Sequence, residues 1–261
     1  MSVKLVAHRG ESEAAPENTL EAFTLAWARG ARCIEGDFHL TRDGEVVCMH
    51  DDNAKRTCGV DRPLAELTLA EIKSFDAGKW KGDAWKFTRV PTLGEVLRTM
   101  PEDGEIFIEL KSVGPILDRL KAIFAAGPWR PEQLTFIAFD ETTISAVKKL
   151  FPAHNAYWLL CNWIGPWDGH SQARFTPDEL AAKVRELGVD GVDIHPDFVG
   201  EEHVRAMHDA GYSFNVWTVD AVEQARRLIA MNVDSLTSNR AYALGCELAP
   251  LDEMKRQYFK E

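Results

Sequence analysis

Ile34-Glu35-Gly36-Asp37-Phe38-His39-Leu40, followed across Thr41-Arg42-Asp43-Gly44 by Glu45-Val46-Val47-Cys48-Met49-His50-Asp51, is the stretch on which the reading of the chain turns. It reads as two short strands and a turn, because Asp-Gly between β-prone runs supplies the positive φ of a tight hairpin. Side chains two apart share a strand face, so Cys33, Glu35, Asp37 and His39 point one way and Ile34, Phe38 and Leu40 the other. Acids alternating with apolar residues are what any strand with one wet face shows. The ends of the other strands give these acids more meaning. His8-Arg9-Gly10 closes the first apolar run, His50-Asp51 closes the run after the hairpin, and Ile106-Phe107-Ile108-Glu109-Leu110-Lys111 adds a third acid and a lysine.

Working outward, Lys4 to His8 reads as the first strand, and Leu20 to Arg29 has helical apolar spacing, with Asn18 or Thr19 as its cap and Gly30 as its end. From Asp52 to about Val90 the pattern is irregular, with too little apolar content for a core of its own. Beyond Pro91 helices and strands alternate: strand 105–111, helix 114–126, strand 134–139, helix 141–150, strand 155–160, helix 177–187, strand 189–194, helix 200–210, strand 212–218, helix 220–230, strand 233–237 and a helical tail. Such alternation implies parallel βαβ units. About eight of them predict an α/β fold, a (β/α)8 TIM barrel with a small insertion after the second strand. The expected organisation is a single domain over residues 1–261 with the insertion at about 52–90. A doubly wound open sheet is the rival, but no glycine-rich phosphate loop follows the first strand.

With 261 residues, 45% of them hydrophobic and 27% charged, the chain has the composition of an ordinary globular protein. A net charge of −11 argues against partners that need a basic surface, namely nucleic acid or an anionic membrane. The apolar run within Met1 to His8 is too short for a signal peptide or a membrane span, so a cytoplasmic location without stable membrane association is expected. The five scattered cysteines show neither a disulfide framework nor zinc spacing and read as structural. No feature speaks to oligomeric state.

In a (β/α)8 barrel functional groups gather where strands end, and His8, Glu35, Asp37, His50, Glu109, Lys111 and Trp217 all fall at such ends. Together they suit a divalent cation acting on a phosphate ester. Glu35, Asp37 and Glu109 are hard oxygen ligands, suited to one Mg²⁺ or Ca²⁺, or to Mn²⁺, rather than zinc. Arg9 and Lys111 are placed in sequence to face the phosphate, and His8 and His50 to carry protons. Each has a plainer reading: a lone histidine at a strand end is commonly structural, Glu109 and Lys111 share a face and form an ion pair, and Asp51 caps or turns. Trp217, beside Asn215 on one face, is a candidate wall for the organic part of the substrate. His39, taken to lie past its strand end, and His154, His195, His203 and His208 are read as surface or packing residues. The loop from Cys161 to His170 carries tryptophans that either cover an apolar or quaternary ammonium group or pack the loop onto the barrel.

The blocks Ala7-His8-Arg9-Gly10, Pro16-Glu17-Asn18-Thr19, Glu35-Gly36-Asp37, Leu40-Thr41-Arg42-Asp43-Gly44, His50-Asp51, Arg56-Thr57, Val90-Pro91-Thr92-Leu93, Ile108-Glu109-Leu110-Lys111 and Trp217-Thr218-Val219-Asp220 resemble, in order and spacing, those of the glycerophosphodiester phosphodiesterases. The resemblance implies a TIM barrel and metal-dependent hydrolysis of a small-molecule glycerophosphodiester to glycerol 3-phosphate and an alcohol such as choline, ethanolamine, glycerol or inositol. It implies Glu35, Asp37 and Glu109 as metal ligands, His8 as general acid with His50 as base, and Arg9 and Lys111 as phosphate contacts. Glu17 and Asn18 match a motif near the site and join the substrate-binding set, Glu17 as a support for Arg9 or the loop. Attack by the glycerol 2-hydroxyl through a cyclic phosphate and direct attack by water both satisfy the residues. Phe38 and the final Leu236-Thr237-Ser238-Asn239-Arg240 depart from the family pattern, which puts contacts from the last loop in question. A lysophospholipase D-like phosphodiesterase on the same barrel and a non-catalytic phosphate-ester-binding protein are the alternatives.

Overall fold

A computed structural model describes residues 3–112, 114–161, 163–164, 172–173, 175–197 and 199–249. The strands are β1 (Lys4–Ala7), β2 (Cys33–Leu40), β3 (Val46–Cys48), β4 (Glu105–Leu110), β5 (Leu134–Ala138), β6 (Ala156–Leu160), the two-residue β7 (Trp163–Ile164) and β8 (Gln172–Ala173), β9 (Gly191–Ile194), β10 (Ser213–Trp217) and β11 (Ser235–Ser238). The helices are α1 (Leu20–Ala28), α2 (Lys55–Cys58), α3 (Leu69–Ser74), α4 (Leu93–Arg98), α5 (Ile116–Ala125), α6 (Glu141–Leu150), α7 (Pro177–Leu187), α8 (Glu201–Asp209), α9 (Val222–Ala230) and α10 (Ala241–Leu248).

Eight strands pair in parallel in the ring β1-β2-β4-β5-β6-β9-β10-β11, and β11 pairs back onto β1. This is a closed (β/α)8 barrel. The strand alternation sorts side chains into two cores. Ile34, Phe38, Ile106, Ile108, Phe136, Val192, Phe214 and Leu236 point outward into the layer shared with the helices. Val6, Cys33, Phe107, Ile137, Tyr157 and Leu159 fill the barrel, with Trp217 packed on them. Parallel strands covered on both faces read as near-continuous apolar runs, which is why the polar inward positions stand out.

Local chemistry starts the helices where the sequence places them. Thr19, rather than Asn18, caps α1 by accepting from the Ala22 amide. Thr68 with Glu71, Thr92 with Glu95 and Thr176 with Glu179 form capping boxes at α3, α4 and α7.

β3 runs antiparallel to β2, as the Asp43-Gly44 turn predicts, with Gly44 at φ 81°. The insertion after it holds α2, α3 and three single 3-10 turns. Contrary to the expectation that it lacks a core, Ala54, Leu64, Leu67, Ile72, Ala77 and Val90 form a small separate cluster with Val47 and Met49. The last two come from the hairpin, so counting the insertion's own apolar residues missed them. His39 also differs from expectation: it lies within β2 and is buried, its Nε2 3.2 Å from the His50 carbonyl. Most of the tryptophan loop lies outside the described residues.

Candidate active site

A cavity of about 120 Å³ at the C-terminal mouth of the barrel is lined by His8, Arg9, Glu35, His50, Glu109, Lys111, Ile137, Phe139, Leu159, Asp193, Trp217 and Thr237. A groove of about 730 Å³ between α7 and α8 is larger, but it is an open surface trough without a converging set of buried polar groups. The smaller cavity is where the sequence-predicted groups meet.

Glu35 and Asp37 project from β2 and Glu109 from the neighbouring β4, where Asp37 and Glu109 are register partners. One ligand oxygen from each lies within 4.8 Å of the others. All three carboxylates are buried. Glu35 Oε1 has no hydrogen-bond partner among the described residues. Asp37 Oδ1 and Glu109 Oε1 flank the Lys111 ammonium, at 3.1 and 2.5 Å. Burial and then repulsion from Asp37 and Glu109 push the Glu35 carboxyl well above its ordinary range, and burial with Asp37 beside it raises Glu109 to about 8. Burial acts on Asp37 too, but Lys111 and Arg9 hold it well below the usual range. Two oxygens on one cation at roughly 2.0–2.6 Å stand no more than about 5 Å apart, so this oxygen-only set fits a hard divalent ion.

Backbone geometry places the rest. Arg9 and Gly10 both take positive φ, 57° and 79°, which turns the Arg9 amide onto Glu35 Oε2 at 2.9 Å. A side chain at Gly10 would meet Ala22 at 2.6 Å, so only glycine lets the loop lie on α1. The Arg9 guanidinium bridges Glu17 at 2.9 Å and Asp37 at 3.2 Å. Gly36 serves the outer face of β2, since a Cβ there would stand 3.1 Å from Phe23 and 3.4 Å from Asn18. Through that gap Asn18 donates to Asp37 Oδ2 at 2.7 Å and accepts from the Asp37 amide at 3.1 Å. Glu17 is held by Arg9 and also by Arg56. Neither Glu17 nor Asn18 lines the cavity: Glu17 holds Arg9, the support expected of it, and Asn18 braces Asp37.

Both histidines line the cavity. His50 Nδ1 lies 2.8 Å from Asp51 Oδ1, and Asp51 is gripped by Arg56. Asp51, read as a cap or turn, is thus the partner of His50. His8 Nδ1 lies 2.7 Å from Asn239 Oδ1, and Asn239 donates its amide to Asp220 at 2.7 Å. A carboxylate accepts only, so Asp220 orients the amide, and the amide oxygen in turn requires the proton on His8 Nδ1. Nε2 is left as the lone pair, 3.8 Å from Glu35 Oε2. Burial and neighbouring Arg9 lower His8 to about 4, so it is neutral at pH 7. The last loop, in question from sequence, therefore holds a site histidine. Asn239 and Asp220 were not singled out, although both follow a strand end, where the barrel rule locates such groups.

Trp217 forms one wall. Its Nε1 donates to the Asp193 carbonyl at 2.9 Å and its ring meets Phe139 edge-on at 5.5 Å. Phe139 and Asp193, absent from the sequence-based set, complete that wall.

Comparison with known proteins agrees with this geometry. The profile of the glycerophosphoryl diester phosphodiesterase family matches residues 8–242. A glycerophosphodiester phosphodiesterase of Caldanaerobacter subterraneus subsp. tengcongensis is 32% identical over 92% of this chain and 95% of its own. Glycerophosphodiester phosphodiesterase 1 of Mus musculus is 36% identical over 85% of this chain and 73% of its own. Among solved structures, an Oleispira antarctica phosphodiesterase in complex with the product sn-glycerol-3-phosphate superposes with a TM-score of 0.82 at 26% identity, covering 93% of this chain and 95% of that one. No helix among the described residues is long and apolar enough to cross a membrane.

Proposed function

The chain belongs to the glycerophosphoryl diester phosphodiesterase family and is a phosphodiester hydrolase, and we propose that it cleaves glycerophosphodiesters to glycerol 3-phosphate and an alcohol with one divalent cation and two histidines. The observation that carries this reading is the buried Glu35-Asp37-Glu109 set, in which Glu35 Oε1 has no hydrogen-bond partner among the described residues and Lys111 faces the other two acids, at one cavity with His8, His50 and Arg9. Glu35, Asp37 and Glu109 would hold Mg²⁺, Ca²⁺ or Mn²⁺, which when bound supplies Lewis-acid polarisation of the phosphoryl oxygens and a template for the ester. Arg9 and Lys111 orient the phosphate and offset its charge. His8, neutral with its Nε2 lone pair toward the cavity, takes the proton from the attacking hydroxyl, and His50 returns one to the departing alkoxide. This reverses the roles implied by family analogy, and the burial that keeps His8 uncharged supports it. Trp217 and Phe139 flank the organic portion.

The test is release of glycerol 3-phosphate by chelator-stripped protein given Mg²⁺, Ca²⁺ or Mn²⁺ in turn, over glycerophosphodiesters and lysophospholipids. Metal-restored release from the former is the expected result. Turnover confined to lysophospholipids would favour the other barrel phosphodiesterase, and silence on every substrate would favour a binding protein.

A further inference from the structure

Asp193 is a buried acid that neither the proposed reaction nor the barrel uses. It projects inward from β9, the sixth strand of the ring, opposite β2, the second, which carries Glu35 and Asp37. The cavity therefore runs from the acidic cluster on one wall toward a second polar group on the other. In register Asp193 pairs with Asn215 and Trp217 pairs with Thr237, so the Asp193 carboxyl lies one side-chain layer beneath the indole.

Among the described residues neither carboxylate oxygen of Asp193 has a hydrogen-bond partner, and neither does Thr237 Oγ1. Both residues are 1% exposed. The adjacent polar residue, Asn215, is already committed, donating to the Val192 carbonyl and accepting from Ser235. An unpaired buried polar group costs free energy that an apolar residue in its place would not, so the fold gains nothing from this carboxyl. Burial alone raises it to about 8, which makes it at neutral pH an acid that both donates and accepts. That chemistry complements a hydroxyl rather than an ammonium.

We propose that Asp193, with Thr237 lining the same cavity, receives the free terminal hydroxyl of the substrate's glycerol unit and so selects unacylated glycerophosphodiesters over lysophospholipids. The inference rests on the proposed function and names its substrate subsite. With the phosphate at the acidic cluster, the three-carbon unit extends under Trp217 toward the opposite wall. An acyl group on the same oxygen would replace its proton and need room that Leu159, Trp217 and Thr237 fill.

The experiment compares kcat/KM of the metal-loaded enzyme on glycerophosphocholine and glycerophosphoethanolamine, on their analogues lacking that terminal hydroxyl, and on 1-acyl lysophosphatidylcholine. It uses wild type, Asp193→Ala and Asp193→Asn. Deleting the substrate hydroxyl should cost wild type about 10- to 100-fold, Asp193→Ala nothing further, and Asp193→Asn, which keeps a donor and an acceptor, most of the wild-type loss. Equal losses in wild type and Asp193→Ala, or no loss in wild type, would overturn the subsite while leaving glycerophosphodiester hydrolysis standing. The wild-type comparison is decisive even should the alanine variant not fold. Wild-type turnover of the lysolipid alone would overturn the proposed function and the subsite with it.

Discussion

Asn239 Oδ1 lies 2.7 Å from His8 Nδ1, joining the loop after the last barrel strand to the end of the first. Because Asp220 accepts from the other side of the amide, Asn239 cannot turn its NH₂ toward His8 without facing a carboxylate with an oxygen. The tautomer of the histidine is thereby set by residues on β10 and β11 loops, far from it in sequence.

Removing that restraint should slow chemistry and leave binding alone. Asn239→Ala is expected to lower kcat by about 10- to 100-fold with KM nearly unchanged, whereas His8→Ala and His50→Ala should each lower kcat by roughly two to four decades. Steady-state kinetics decide it; a rise in KM at constant kcat for Asn239→Ala would show that the amide touches substrate instead.

Loading the acidic site should release protons. Glu35 and Glu109 are both raised by burial and by repulsion from Asp37, Glu109 to about 8, so in the metal-free protein they hold protons that the ion displaces. Mg²⁺ or Mn²⁺ affinity should therefore strengthen as pH rises from 6 to 8. Calorimetric titration in buffers of different ionisation enthalpy measures the proton count, and Glu109→Gln should remove much of the pH dependence along with affinity. Binding indifferent to pH would count against these ligands.

Trp217 is locked by its bond to the Asp193 carbonyl and by edge contacts with Phe139 and His195. Trp217→Ala should raise KM for glycerophosphodiesters by about tenfold or more, given the ~1–3 kcal/mol associated with a buried apolar wall, and lower kcat less. An unchanged KM would remove Trp217 from the substrate surface.

The unpaired Asp193 carboxyl should weaken the free protein as pH rises. Its folded pKa of about 8 lies above the unfolded value of 3.8, so the native state keeps a proton that the unfolded chain has lost, and this group's contribution to stability falls between those limits. Asp193→Asn should accordingly gain on wild type from pH 4 to 8, by a few kcal/mol on the order-of-magnitude scale of ~1.4 kcal/mol per pH unit. Denaturant midpoints at several pH values test this; parallel curves would mean that the carboxyl has a partner.

By itself the sequence determined the alternation of strands and helices, the β2–β3 hairpin and the position of the acids on one strand face, because each depends on local periodicity or on the φ preference of one turn. Strand-end placement likewise made His8, Glu35, Asp37, His50, Glu109, Lys111 and Trp217 legible, and six of those seven line the cavity directly, with Asp37 held just behind by Asn18, Arg9 and Lys111. What only the tertiary structure decided were the pairings between loops distant in the chain. Asn239 on His8, Asn18 behind Asp37 and Arg56 between Glu17 and Asp51 leave no periodic trace, since a side-chain hydrogen bond depends on where barrel closure brings two loops. Asp193 was hidden for a related reason: it is a lone acid on its strand, and only the closed ring shows that it stands across from the acidic cluster with its carboxyl unpartnered among the described residues.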